Sequence, residues 1–165
     1  MSLDMHLKLE GGEVKFEGES KHSNHAKEVQ LLAWSWGLSQ SGTFGHGTGG
    51  GAGKANVQDI SFTKYVDKSS TAFIKALVTG DHMKTVTLSV SKAGGKQEDY
   101  LKITLTSAMV TSYSTGGSGG EDVFTENITI AFAKFEVEYF QQNDKGAVAS
   151  AGKISYSVEE VKATS

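Results

Sequence analysis

Gly45-His46-Gly47-Thr48-Gly49-Gly50-Gly51-Ala52-Gly53-Lys54 decides the fold by what stands on either side of it. The spacing Gly45-x-Gly47-x-x-Gly50 matches a dinucleotide fingerprint, which needs a strand before it and a helix after it so that a pyrophosphate meets a helix N-terminus. Before it, Val29 to Leu38 reads as a strand that places Trp34 and Trp36 on one face and Ala33, Ser35 and Gly37 on the other. After it, Ala55 to Val66 alternates Ile60 and Phe62 with Ser61 and Thr63, which is again a strand. Without a helix behind the glycines there is no βαβ unit. The P-loop reading fails too, because Lys54 is followed by Ala55 where a magnesium-binding hydroxyl is needed, and Thr48 occupies the first glycine position. A flexible tether or an arm lying against another surface is what remains.

Outward from this loop the chain continues to read as β. Met5, Leu7 and Leu9 alternate with His6, Lys8 and Glu10; Val86, Leu88 and Val90 with Thr87, Ser89 and Ser91; Leu101, Ile103 and Leu105 with Lys102, Thr104 and Thr106. Ala108 to Thr115 is read as a further strand, and Ile154, Tyr156 and Val158 supply the last one. From Val123 to Tyr139 the apolar parity changes, from Ile128, Ile130 and Phe132 to Phe135, Val137 and Tyr139, which predicts a bulge or bend near Ala133-Lys134. One helix interrupts the pattern, at about residues 69–79: Asp67 and Ser70 can accept its first amides, Phe73, Ile74 and Leu77 fall at helical spacing, and Gly80 ends it. The expectation is an all-β barrel or sandwich in a single domain spanning residues 1–165, with an extended glycine-rich loop at about 39–54.

Composition bounds the function. A chain of 165 residues without cysteine has neither disulfides nor thiolate metal ligands, and it is long enough to bury a core. The net charge is −3, and all 16 basic residues are lysines; the lack of arginine weighs against nucleic-acid binding. The N-terminus has an early acid and alternating polarity and does not read as a signal peptide, and no stretch reaches membrane-spanning length.

Candidate chemistry is thin. His22 and His25 stand three apart in a polar run without a third histidine at ligand spacing, so they read as solvated loop histidines and no metal is assigned. The acid pairs Glu98-Asp99, Glu121-Asp122 and Glu159-Glu160 point to opposite faces of extended chain, and Glu136 and Glu138 share an outward face with Lys134. With no nucleophile elbow either, no catalytic residue and no cofactor is assigned, and an enzyme is not expected. The outward faces are rich in Thr85, Thr87, Ser89, Ser91, Thr104, Thr106, Ser112, Ser114 and Thr129, a weakly charged surface suited to meeting other subunits or lining a neutral cavity.

Several runs together resemble one family. Leu32-Ala33-Trp34-Ser35-Trp36-Gly37, Gly51-Ala52-Gly53-Lys54, Val57-Gln58-Asp59-Ile60-Ser61-Phe62-Thr63-Lys64-Tyr65-Val66-Asp67-Lys68-Ser69, Lys92-Ala93-Gly94-Gly95, Ser114-Thr115-Gly116-Gly117-Ser118-Gly119-Gly120-Glu121 and Thr125-Glu126-Asn127 are similar to the Hcp family, the haemolysin-coregulated tube proteins of bacterial type VI secretion. The resemblance implies a small β-barrel of two packed antiparallel sheets with one short helix, and homohexameric rings that stack into a tube. It implies partnership with the sheath and spike proteins of the machine and with small effector proteins carried in the lumen. It also implies assembly in the bacterial cytoplasm followed by export through the machine, without a signal peptide. Mapped onto this sequence, Gly45, His46, Gly47, Thr48, Gly49, Gly50, Gly51, Gly53 and Lys54 are candidates for the ring-stacking arm, and Ser35 and Ser118 for lumen or effector contact. The alternative is a monomeric β-barrel that binds a small ligand, with the glycine-rich loop as its lid.

Overall fold

The computed structural model describes residues 3–42, 54–92, 97–145 and 147–165. Among the described residues eleven strands and one helix follow in order: β1 (Leu3–Glu10), β2 (Val29–Leu31), β3 (Ala33–Ser35), β4 (Leu38–Ser39), β5 (Asn56–Val57), β6 (Ile60–Tyr65), α1 (Ser70–Thr79), β7 (His82–Lys92), β8 (Asp99–Thr115), β9 (Thr125–Gln142), β10 (Val148–Ser157) and β11 (Lys162–Thr164). All-β with a single helix is the architecture expected. The run Ala108 to Thr115, read as a separate strand, is the continuation of β8, because a single kink leaves its pairing with β9 unbroken.

Nine strands form one antiparallel ladder, β11-β10-β9-β8-β7-β1-β2, to which β6 adds on β9 and β3 adds on β6. The ladder's hydrogen bonds do not close a ring. Two of its three terminal strands, β2 and β3, are joined by the chain itself: β2 pairs with β1, and after one residue, Leu32, β3 pairs with β6. The Leu32 amide donates to Thr63 O at 2.8 Å, so the seam is stitched at its midpoint.

What folds this ladder over a core is a crease. Met83, Ala108 and Phe132 stand in one register row, and Val86, Leu105 and Phe135 in another, with all six facing the core. Between the rows each strand carries two residues instead of one: Lys84 and Thr85, Thr106 and Ser107, Ala133 and Lys134. Ser107 takes φ 53°, a left-handed conformation that a serine adopts at a cost of about 1–2 kcal/mol. Ala133, opposite Ser107 by register, offers its carbonyl to Val158 N–H at 2.8 Å. The parity change expected in β9 is therefore a bend shared by three neighbouring strands, and the β8–β9 register passes through it unshifted. A true bulge lies further along, at Thr111, between Val110↔Ile130 and Ser112↔Thr129.

The two halves enclose a single core of Leu7, Leu88, Ile103 and Phe135 from one side and Ile60, Phe62, Val110, Ile128 and Ile130 from the other. Phe73 and Ala76 of α1 complete it and are fully buried. The helix starts through an aspartate-centred turn: Asp67 Oδ1 accepts from Ser69 N–H at 2.8 Å, and Ser70 Oγ accepts from Asp67 N–H at 3.0 Å. Gly80 closes it in the left-handed region at φ 66°, as the sequence predicts.

Candidate functional site

The glycine-rich loop leaves the body through the short ribbon β4–β5, where Leu38 pairs with Val57 and Ser39 with Asn56. Trp36 anchors this root. Its ring meets Phe135 edge-on at 4.8 Å and Phe132 at 6.2 Å, while its indole N–H donates to Gln58 O at 2.8 Å. Gly37 O accepts from Gln58 N–H at 3.1 Å, so the two limbs of the loop are clamped together before they depart. Leu38, on the departing limb, is half exposed. Lys54 is exposed on the returning limb. Gly45, His46, Gly47, Thr48, Gly49, Gly50, Gly51 and Gly53 lie outside the described residues.

Ser35 belongs to a wall. Across four strands, register aligns Ser35, Ser61, Thr129 and Ser112 in one row, and Ala33, Thr63, Asn127 and Ser114 in the next. None of the eight side chains is charged. Within the rows the side chains bond to one another: Thr63 Oγ1 donates to Asn127 Oδ1 at 2.7 Å, and the hydroxyls of Ser112 and Thr129 meet. The bulge residue Thr111 adds its hydroxyl, donating to Asp59 Oδ2 at 2.9 Å. The alternation that points Trp34, Phe62, Ile128 and Tyr113 inward leaves Ala33 and seven uncharged polar residues facing out in these two rows.

The wall ends at the β8–β9 loop, which carries Ser118. This residue is exposed, and its carbonyl accepts from Glu121 N–H at 3.1 Å. A Cβ at Gly117 would stand 2.2 Å from the ring of the exposed Phe124, so a larger residue there would displace that ring. At Gly116, Gly119 and Gly120 an added Cβ would meet nothing within 4 Å. The wall thus gathers Ser35 with Ser112, Ser114 and Thr129 of the weakly charged outward faces, while Ser118 sits beyond its rim.

The other outward face differs. Past the crease, Lys134, Glu136 and Glu138 of β9 stand out with Lys102 of β8, and Lys153 of β10 pairs with Glu136 at 2.7 Å. That ion pair lifts the Lys153 pKa above its ordinary value.

Two buried polar groups were not anticipated. Lys64 and Glu126 form a fully buried ion pair directly opposite each other on β6 and β9. The Lys64 ammonium also reaches Asp67 Oδ1 at 3.0 Å and Tyr65 O at 2.9 Å. Glu126 accepts from Ser70 Oγ at 2.7 Å and from the Tyr113 hydroxyl. Burial, then the bond to Glu126, pushes the Tyr113 hydroxyl up to about 12. Shut away from solvent, this network ties the start of α1 to the sheet. Its signal was present, since Lys64 continues the buried parity of Ile60 and Phe62, and Glu126 that of Ile128 and Ile130.

The histidines correct the sequence reading more sharply. His25 is buried rather than solvated, between Glu28 and Asp99, with Nε2 2.8 Å from Asp99 Oδ1. Polar neighbours in sequence suggested an exposed loop; in space the segment folds back over β1, where His6 is also buried.

Comparison with known proteins agrees with this architecture. Residues 6–139 match the family model for the type VI secretion system effector, Hcp. The chain is 52% identical over 157 residues to Protein hcp1 of Pseudomonas aeruginosa strain PAO1, with 94% of each chain covered. A solved type six secretion system protein superposes with TM-score 0.89 at 28% identity, covering 99% of this chain and 100% of that one. The crystal structure of Hcp1 from Salmonella typhimurium gives TM-score 0.78 at 28% identity, with the same coverage.

Proposed function

We propose, from the premise that this chain belongs to the Hcp family of type VI secretion proteins, that it is a non-enzymatic structural subunit of the secretion tube. In this reading six copies close into a ring, rings stack with the loop at about 39–54 as the reaching arm, and the tube is exported through the machine. Sheath and spike proteins are its partners in the machine, and small effector proteins are its cargo.

The observation that carries the reading is the wall of Ser35, Ser61, Thr129 and Ser112 with Ala33, Thr63, Asn127 and Ser114. A channel must hold its cargo loosely enough to release it. Charged linings concentrate oppositely charged molecules and bind them in a salt-dependent way, whereas hydroxyls already bonded to one another offer weak, exchangeable contacts. The clamped root of the loop supports the arm role, because Trp36 and Gln58 fix the direction in which both limbs depart.

Light scattering and negative-stain images of the purified protein test the ring: sixfold particles are expected, and a monomeric mass at micromolar concentration would overturn it. Ser35→Lys with Ser112→Lys tests the lining. Ring mass should be unchanged while an effector that co-purifies with the parent is lost; undiminished effector retention would remove the wall from the lumen.

A further inference from the structure

The segment from Gly18 to Glu28 is a strap over the outer face of β1 and β7. It is cross-linked to itself, with Gly18 N–H donating to Lys27 O at 2.7 Å, Lys27 N–H to Ser20 O at 2.9 Å and Ser20 N–H to Glu28 O at 3.2 Å. Beneath and around it, Ser89 and Ser91 of β7 and His6 of β1 are buried, although all three stand on the outward face of their strands. The strap's described polar hold on the sheet is small: His25 on Asp99, and the Asn24 side chain on Gln97 O at 3.5 Å. Ring contacts add to it. His6 and His25 stack at 4.9 Å and 13°, and His22 leans on both, at 5.0 Å from His6 and 5.2 Å from His25.

Three imidazoles in mutual contact can share a buried site only if most of them are neutral. His25 has a carboxylate at each ring nitrogen, Glu28 at Nδ1 and Asp99 at Nε2, so both of its nitrogens are engaged. His22 Nδ1 accepts the Asn24 N–H at 3.2 Å, a bond that requires this nitrogen to be unprotonated. His6 Nδ1 and His22 Nε2 are buried without a hydrogen-bond partner, so a proton added at His6 Nδ1 would have nothing to accept it.

We propose that the strap is an acid-sensitive latch, closed over β1 while the buried His6 is neutral and released when that ring takes up a proton. The groups facing His6 act in both directions. His25 and His22 from the strap oppose its protonation, whereas Asp4 on its own strand and Asp99 of β8 favour it. Gln30 of β2 and Ser89 of β7 stand opposite it and carry no charge, and Lys8 and Lys102 stand on the same outward face. Burial is the largest influence, and with the neighbouring histidines it prevails, holding His6 at about 4. The folded state therefore takes its proton later than the unfolded chain, and the hold is lost as pH falls from about 6.5 toward 4.

The chain has no cysteine, so Ser23→Cys on the exposed tip of the strap accepts one spin label without interference. Label mobility in the assembled full-length protein is expected to rise on acidification with a midpoint between about 4 and 6.5, while far-UV circular dichroism and Trp34 and Trp36 fluorescence stay constant. His6→Phe keeps the stacked ring and removes the proton, and should move the midpoint lower or abolish the step. Proton NMR of the histidine rings in the unsubstituted protein gives an independent reading, with one ring titrating well below 6. Constant label mobility down to pH 4.5, a step that coincides with loss of the whole fold, or three histidines all titrating near 6.5 would each overturn the proposal.

Discussion

Replacing Lys64 by Met tests what the buried ion pair does. The substitution keeps the length of the side-chain stem within the interior and removes only the ammonium. Glu126, with its side chain 0% exposed, then keeps two donors, Ser70 Oγ and the Tyr113 hydroxyl, but has lost its countercharge. Breaking a buried pair from one side costs roughly 3–5 kcal/mol, and the two remaining donors place the expectation near the lower end, about 3 kcal/mol. Removing both charges is different. In Lys64→Met with Glu126→Leu no charge is left alone at this pair, and the residual loss comes from the hydroxyls of Ser70 and Tyr113 and from Asp67, which loses Lys64 in both variants but keeps the Ser69 amide and hydroxyl, on the order of 1 kcal/mol each. The double variant should thus be more stable than the single one, by about 1 kcal/mol or more. Urea unfolding followed by Trp34 and Trp36 fluorescence, run at two protein concentrations so that assembly does not masquerade as subunit stability, measures both. A single variant less than about 1 kcal/mol below the parent, or a double variant that loses as much again, would refute the reasoning.

Two further outcomes follow from the same structure. A methyl at Gly18 would stand 2.2 Å from Glu28 O and 2.5 Å from its carbonyl carbon, both backbone, so Gly18→Ala should loosen the strap's cross-link and lower stability by about 1–3 kcal/mol; an unchanged urea midpoint would contradict the packing. The Tyr113 hydroxyl holds its proton to about 12 in the folded state, whereas an unfolded tyrosine loses it near 10. The associated stability is present below pH 10 and is lost as pH rises from 10 toward 12. Tyrosinate absorbance should show one late residue among the 5 tyrosines, absent in Tyr113→Phe, and five equivalent titrations would dismiss the assignment.

Period-two alternation made most of the ladder legible, because each strand buries one face and the pattern survives local irregularity. It located β1, β7, both halves of β8 and the crease in β9, and turn chemistry located α1. The wall was half visible: Ser35, Ser112, Ser114 and Thr129 were read as outward small residues, but their alignment into rows depends on register, which a strand's own residues do not state. Lys64 and Glu126 were legible in parity and hidden by residue type, since charge ordinarily signals an outward position. The histidine cluster was not legible at all. His6 occupies an outward position on β1, and only the return of the strap across the sheet buries it.

The crease has a consequence for how this sequence can change in length. Lys84, Ser107 and Ala133 form one row across three strands. Deleting any one of them would turn half of that strand's side chains to the opposite face, exchanging apolar for polar along its whole remaining length. Deleting all three together would keep every pairing and every facing intact while flattening the fold line. A change of length inside the meander is therefore expected either to be absorbed in one strand as a bulge, as at Thr111, or to take a whole row at once.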